Sequence, residues 1–441
     1  MSRRTHWRTA EYVRNGIWHT AEYVRNGIWI IPAFFVVVAI AAGTVLPIVD
    51  EKTGMTIGIT FGPDAARGML GSLAGGMITF TGFVFSVLLV AVQFGSSQFS
   101  PRMLVLSLRD PVTQAALGTF IATFLYSLLV LSSVGRPENP DFVPNSSISV
   151  ALFLLIASMF MFLQLIANTT SGLRVASVLN ELGREARKVI DRVHPEPAVK
   201  DERGERGLAP LPEDSDVITY RGDPGVIQSV DRQGLFSLAT DADAMVELVP
   251  AIGDFVVPGD PLFRVHGGSG PLEEREFQSA VAVGDERTME QDPGFAFRLL
   301  ADISAKALSP GTNDPSTSTQ ALDQIETLLR IIAHRRLTPG VMYDTKGAAR
   351  LRWRTPSWED YLSLALHETR QFGEGSVQVS RRLWTLLQRL RETVPSYRRP
   401  AVEVQLEQVR SGGRRAFSDR LDRDAATTVD PQGLGSSRGL E

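Results

Sequence analysis

Apolar positions are arranged in two different ways along this chain. Over residues 26–49, 68–101, 111–135 and 142–173 they form four long stretches that are apolar throughout, with no helical or two-residue alternation. Each stretch exceeds the roughly 20 residues that cross about 30 Å of hydrocarbon, so four transmembrane helices are expected. Beyond residue 174 the pattern becomes periodic. Residues 174–192 read as an amphipathic helix that Pro195 and Pro197 end, and 197–215 read as a charged, proline-rich linker. Short β-forming runs punctuated by Gly-Asp turns follow over 217–265 and predict a small β-barrel or sandwich. A helix is expected from Pro293, with Phe295, Leu299, Leu300, Ile303 and Leu308 among its apolar residues. A second is capped by Asp314, with Pro315 at its first position and Leu322, Ile325, Leu329 and Ile332 as its stripe. A hairpin around Lys346-Gly347 precedes further helices that end near residue 411.

The expected fold class is a multi-domain membrane protein. A four-helix transmembrane α bundle is followed by a soluble α+β region containing a small β-barrel or sandwich. The divisions fall at 1–27 (N-terminal segment), 28–173 (membrane domain), 174–215 (helix and linker), 216–268 (small β domain), 269–411 (α+β domain) and 412–441 (polar, disordered tail). In the N-terminal segment the decapeptide TAEYVRNGIW occurs twice, at 9–18 and 20–29. Between the second and third stretches, Ser100 and Pro101 are placed to start a short interfacial helix.

Charge adds orientation. Arg3, Arg4, Arg8, Arg14 and Arg25 precede the first stretch, Arg102 and Arg109 lie between the second and third, and Arg174, Arg184, Arg187, Lys188 and Arg192 follow the fourth. The other two loops hold only Lys52, Arg67 and Arg136. By the positive-inside bias both termini are expected in the cytoplasm of a multi-pass protein of the bacterial inner membrane. The net charge is −4, and residues 197–260 carry 13 acidic against 5 basic side chains, so nucleic acid is not an expected partner. The chain has no cysteine, and its six histidines are scattered at no metal-ligand spacing, so no metal site is expected. The β segment at 251–265 is similar to half of a biotinyl or lipoyl domain. It lacks the lysine such a domain modifies, so no cofactor is expected.

Two groups of residues stand out. In the second stretch Gly68, Ser72, Gly75, Gly76, Thr79, Gly82 and Ser86 form a small-residue ridge, suited to close helix packing within or between subunits or to lining a pore. In the soluble region Arg287, Thr288, Gln291, Asp292, Asn313, Asp314 and Thr317 are candidates for a polar cluster where helix ends meet, either holding a small anion or clamping two loops. No nucleophile–base pair, GxSxG elbow or glycine-rich phosphate loop occurs, so no catalytic residue is assigned.

The motifs ERTMEQD (286–292) and ALSPGTNDP (307–315), set behind four spans, resemble the uncharacterised bacterial family of predicted membrane proteins, domain of unknown function 2254. The resemblance covers the chain from the first span to about residue 395 and implies architecture without an activity. Two functions are therefore open. One is a homo-oligomeric channel or passive transport protein gated by its soluble domain. The other is a bilayer-anchored sensor or scaffold that binds a small ligand or a partner protein.

Overall fold

The computed structural model describes residues 30–53, 58–98, 110–135, 139–172, 174–198, 215–268, 273–337 and 340–430. The duplicated decapeptide, the interfacial segment at 100–108, residues 199–214 of the linker and the last eleven residues lie outside them. The chain divides into two compact units, Met1–Arg174 and Val175–Glu441.

The first unit holds four helices long and apolar enough to cross a membrane: α1 Ile30–Thr53, α2 Pro63–Gln98, α3 Pro111–Leu131 and α4 Asn145–Gly172. α3 is the central one. More than half of its apolar window is buried, against about a fifth for each of the others. It packs against α1, α2 and α4 in turn. Close approach is set by two glycines that the ridge does not include. A Cβ on Gly118 would lie 3.1 Å from Pro32 Cα, and one on Gly43 would lie 3.0 Å from Leu129 Cβ. Between α3 and α4 the Thr123 and Ser158 hydroxyls bond at 2.9 Å, a buried polar contact of the kind that links helices where no water competes.

Side chains tie the helix ends and fix an up-down order. The Asp50 carboxylate accepts from Ser147 N and Oγ at the start of α4, and Arg67 donates to the carbonyls of Val134 and Gly135 just past α3. At the opposite end Asp110 caps α3 and accepts from Asn168 Nδ2 at 2.7 Å.

The second unit combines helices with two open sheets. Following α5 (Val175–Val193) come β1 Asp216–Thr219, β2 Gly225–Val230, α6 Arg232–Asp241, β3 Ala244–Leu248, β4 Phe255–Val256, β5 Pro261–Gly267, α7 Glu274–Ser279 and β6 Val281–Gly284. Then come α8 Pro293–Ala307, α9 Pro315–Ile332, β7 Gly340–Tyr343, β8 Ala349–Trp353, α10 Trp358–Phe372, α11 Val377–Thr393, α12 Arg399–Ala416 and α13 Arg420–Ala426. One sheet has the order β1-β5-β3-β8-β7, antiparallel except for β3 beside β8. The other is β4-β2-β6. Neither closes into a barrel among the described residues. Both sheets contribute to one core, in which Ile227 and Val230 meet Val246, Phe263 and Leu351. The strand burial alternates, as the two-residue period requires. Residues 216–268 do not complete this sheet, because β7 and β8 join it from more than seventy residues further along.

The remaining helices pack as a layer in which α8 and α9 meet α5, α10 and α11. Gly412 to Asp430, expected as disordered tail, is ordered in part: α12 runs to Ala416, α13 follows, and Asp430 N donates to Thr385 Oγ1 at 2.9 Å. The polar composition hid two contacts that tertiary packing supplies: α12 and α13 both pack on α11.

Candidate functional site

The ridge residues of α2 do not face the protein's own bundle. Gly68, Ser72, Gly75, Gly76, Thr79, Gly82 and Ser86 are all exposed, while Ala66, Leu70, Leu73, Met77 and Val84 are buried. Residues 68, 72, 75, 79, 82 and 86 alternate steps of four and three, which keeps them on one side of a helix opposite the buried set. A Cβ placed on Gly68, Gly71, Gly75, Gly76 or Gly82 meets no described atom within 4 Å. Among the described residues the stripe therefore packs against no other element of the subunit. Thr79 and Ser86 satisfy their hydroxyls on the carbonyls of Gly75 and Gly82, so the stripe presents a smooth surface with little unmet polarity.

The seven polar candidates of the second unit do not form one cluster. Asp292 caps the start of α8, and its Oδ1 accepts from Phe295 N at 3.3 Å. Asp314 lies past the other end of that helix, where its N–H donates to the carbonyl of Ala307 at 2.8 Å. Fifteen helical residues separate the two turns, about 22 Å along the axis. Asn313, Asp314 and Thr317 form a self-contained turn. Asn313 takes a left-handed φ of 46°, which asparagine tolerates, and Asp314 accepts from Thr317 N and Oγ1. The convergence expected from sequence is thus split by α8 itself.

Arg287, Gln291 and Asp292 do come together. Arg287 Nε donates to Asp292 Oδ2 at 2.6 Å. Its guanidinium lies on the Gly253 turn, where a Cβ would be 2.4 Å from Arg287 Cζ and where φ is +91°, so glycine is required twice over. Gln291 spans the end of β2, accepting from Val230 N and donating to Val230 O. Thr288 is partly buried beside them, its hydroxyl without a partner among the described residues.

These three residues line one wall of a cavity of about 490 Å³. Other walls bring residues that the sequence did not single out: His194 after α5, Arg232 at the start of α6, Arg354 after β8, and Asp360 and Tyr361 on α10. The Arg232 guanidinium stacks over Trp353 at 4.8 Å. Trp353 in turn lies flat against Gly340, where a Cβ would be 1.9 Å from its ring. His194 is buried and its Nε2 is 3.1 Å from the Tyr361 hydroxyl. Burial, with the neighbouring Arg232 charge, lowers the His194 pKa to about 4. Burial pushes the Asp292 carboxyl above the usual carboxylate range, against the opposing pull of Arg287. Burial also raises the Tyr361 phenol. No group of three His, Asp or Glu side chains among the described residues is arranged to hold a metal ion.

Four helices long and apolar enough to cross a membrane, followed by this mixed helical and sheet unit, are the features of a membrane protein. The chain belongs to the family of predicted membrane proteins designated DUF2254, whose model matches residues 25–389. It is 29% identical over 405 residues to an uncharacterized protein of Mycobacterium tuberculosis strain H37Rv and, at the same identity, to one of Mycobacterium bovis. Each alignment covers 89% of this chain and 77% of the relative. No solved structure matches the chain.

Proposed function

We propose that the protein is a homo-oligomeric channel or passive transport protein of the bacterial inner membrane, assembled through α2 and gated by its soluble unit. The carrying observation is the direction of the α2 stripe. Lipid-facing positions on α1 and α4 are bulky, among them Phe34, Val37, Phe153, Ile156 and Phe160. The α2 stripe, with Gly, Ser and Thr at exposed positions from Gly68 to Thr79, offers another backbone a close approach there, before the bulky Phe83 joins the same face. The stripe's alternation of four and three suits left-handed helix pairing about an axis. The described part of each span carries no Asp, Glu, Lys, Arg or His away from its ends, which favours passive passage over a proton relay. The basic residues flanking the spans support placing the soluble unit in the cytoplasm.

The absence of cysteine permits a direct test. Single cysteines at Ser72, Thr79 and Ser86 are expected to give cross-linked dimers in membranes, whereas cysteines at Phe153 and Met159 on α4 are not. Purified wild type in liposomes is expected to pass small ions, and Gly75→Leu to block that flux. Cross-linking without flux under any stimulus would leave an oligomeric anchor in place of a channel. Absence of both would overturn the reading.

A second reading has its own observation. The Arg-lined cavity of the soluble unit fits a membrane-anchored sensor in which ligand occupancy there is the input.

A further inference from the structure

The cavity between α6, α8 and α10 has a charge pattern that selects among ligands. Its lining includes three arginines and three carboxylates, but these are not paired one to one. Asp292 is committed to Arg287. Asp254 and Asp360 are exposed and act as local caps: Asp254 Oδ2 accepts from Ala251 N, and Asp360 Oδ2 accepts from the Ser357 N–H and hydroxyl. Arg232 and Arg354 have no hydrogen bond or ion pair to any described residue. Arg232 is half-buried and held by its stack on Trp353, and Arg354 is the next residue in the chain after that ring. Two guanidinium groups on one cavity are thus left without a hydrogen-bonded or ion-paired partner, in a lining whose formal charges sum to zero.

Helix ends add to the same sign. Arg232 is the first residue of α6, Pro293 and Gly294 are the first two of α8, and Asp360 and Tyr361 are the third and fourth of α10, and all five line the cavity. Three N-terminal turns therefore bring the positive ends of their helix dipoles to one space, each partly offset by its capping aspartate, Asp231, Asp292 or Asp360. His194, also on the wall, is kept neutral chiefly by its burial, with the charge of the lining residue Arg232 acting in the same direction. Val193, Ile252 and Leu364 add apolar side chains to a wall that also carries Gln291, Thr355 and Ser363. A volume of about 490 Å³ lies within the range of small-molecule sites.

We propose that this cavity binds a water-soluble organic phosphate monoester. Its dianionic head is held by Arg232 and Arg354, and its carbon body lies against Val193, Ile252 and Leu364. A phosphate monoester matches two unpaired guanidinium forks in charge and in hydrogen-bond geometry, which a monocarboxylate matches only by half. The assignment names the ligand class for the sensor reading and requires neither assembly through α2 nor conduction.

The test is calorimetric titration of the full chain in neutral-lipid nanodiscs with glucose 6-phosphate, AMP and inorganic phosphate, using glucose and adenosine as uncharged controls. At least one ester is expected to bind with a Kd below about 1 mM, and neither control to bind. Arg354→Gln removes an exposed side chain that holds nothing in the fold. It is expected to weaken that ester about tenfold or more with the melting temperature unchanged. Arg232→Gln is expected to weaken it at least as much. Failure of both esters to bind overturns the proposal, as does affinity unchanged in both variants. Inorganic phosphate binding as tightly as the esters would remove the carbon body from the assignment and overturn the organic half of it. None of these outcomes depends on liposome flux, so the site and the channel can fail separately.

Discussion

Asp292-Pro293 and Asp314-Pro315 begin consecutive helices with the same local chemistry. In each the aspartate accepts from the backbone amide three residues on, and proline occupies the first helical position. The surroundings differ. Asp314 serves its own turn and the end of α8, with Asn313 and Thr317 as its companions. Asp292 also holds Arg287 against the Gly253 turn and faces a cavity with His194, Arg232 and Arg354. An identical capping code thus gives a structural joint at one end of α8 and the edge of a candidate binding site at the other. What separates them is which distant elements arrive: the turn before β4, the residue after β8, and α10 line the cavity at the Asp292 end.

The comparison breaks first at Asp292. Asp292→Ala removes the cap and strands a partly buried guanidinium, and is expected to cost about 3 kcal/mol, read by denaturant unfolding of the full chain with tryptophan fluorescence. A cost no larger than that of the Asp314 variant would mean the Arg287 pair contributes nothing. Acid should distinguish the two ends next. With the His194 pKa near 4 in the fold and about 6.5 unfolded, the unfolded chain binds the proton first as pH falls. The stability due to neutral His194 is fully present above about pH 6.5 and is lost on the way down to about pH 4. Asp292, with its raised pKa, acts in the opposite direction. The difference between wild type and His194→Gln isolates the histidine. Wild type is expected to lose about 2 kcal/mol relative to the variant between pH 7 and pH 4.5, and parallel pH curves would refute the assignment. The smallest effect belongs to the purely local cap. Asp314→Ala is expected to cost about 1 kcal/mol and Asp314→Asn a few tenths, with ester binding unchanged in both.

Much of this was readable in one dimension. The four spans follow from length and lack of charge, and their observed helices match the expected stretches closely. Pro293 and Pro315 were recognisable starts because proline's missing N–H is harmless at the first helical position. The ridge on α2 was visible as composition, but its direction was not. Spacing places residues on one face and does not say which neighbour that face meets. Arg232 and Arg354 gave no signal at all, since a lone arginine after a strand or at a helix start is ordinary. The one available hint was their proximity in sequence to Asp231 and Trp353, and only the fold stacks one arginine over that ring. Nor could Gly340 be read as the seat of Trp353, because the two meet by strand pairing across thirteen residues.

The sequence by itself determined the membrane spans, the helix starts and the family, because hydrophobic length and capping are local properties of neighbouring residues. Tertiary structure alone decided that the α2 stripe looks outward, that Asp292 and Asp314 stand at opposite ends of one rigid helix, and that three arginines share a cavity. Those are relations between elements tens of residues apart. They are fixed by which buried faces pack together, and no local pattern encodes them.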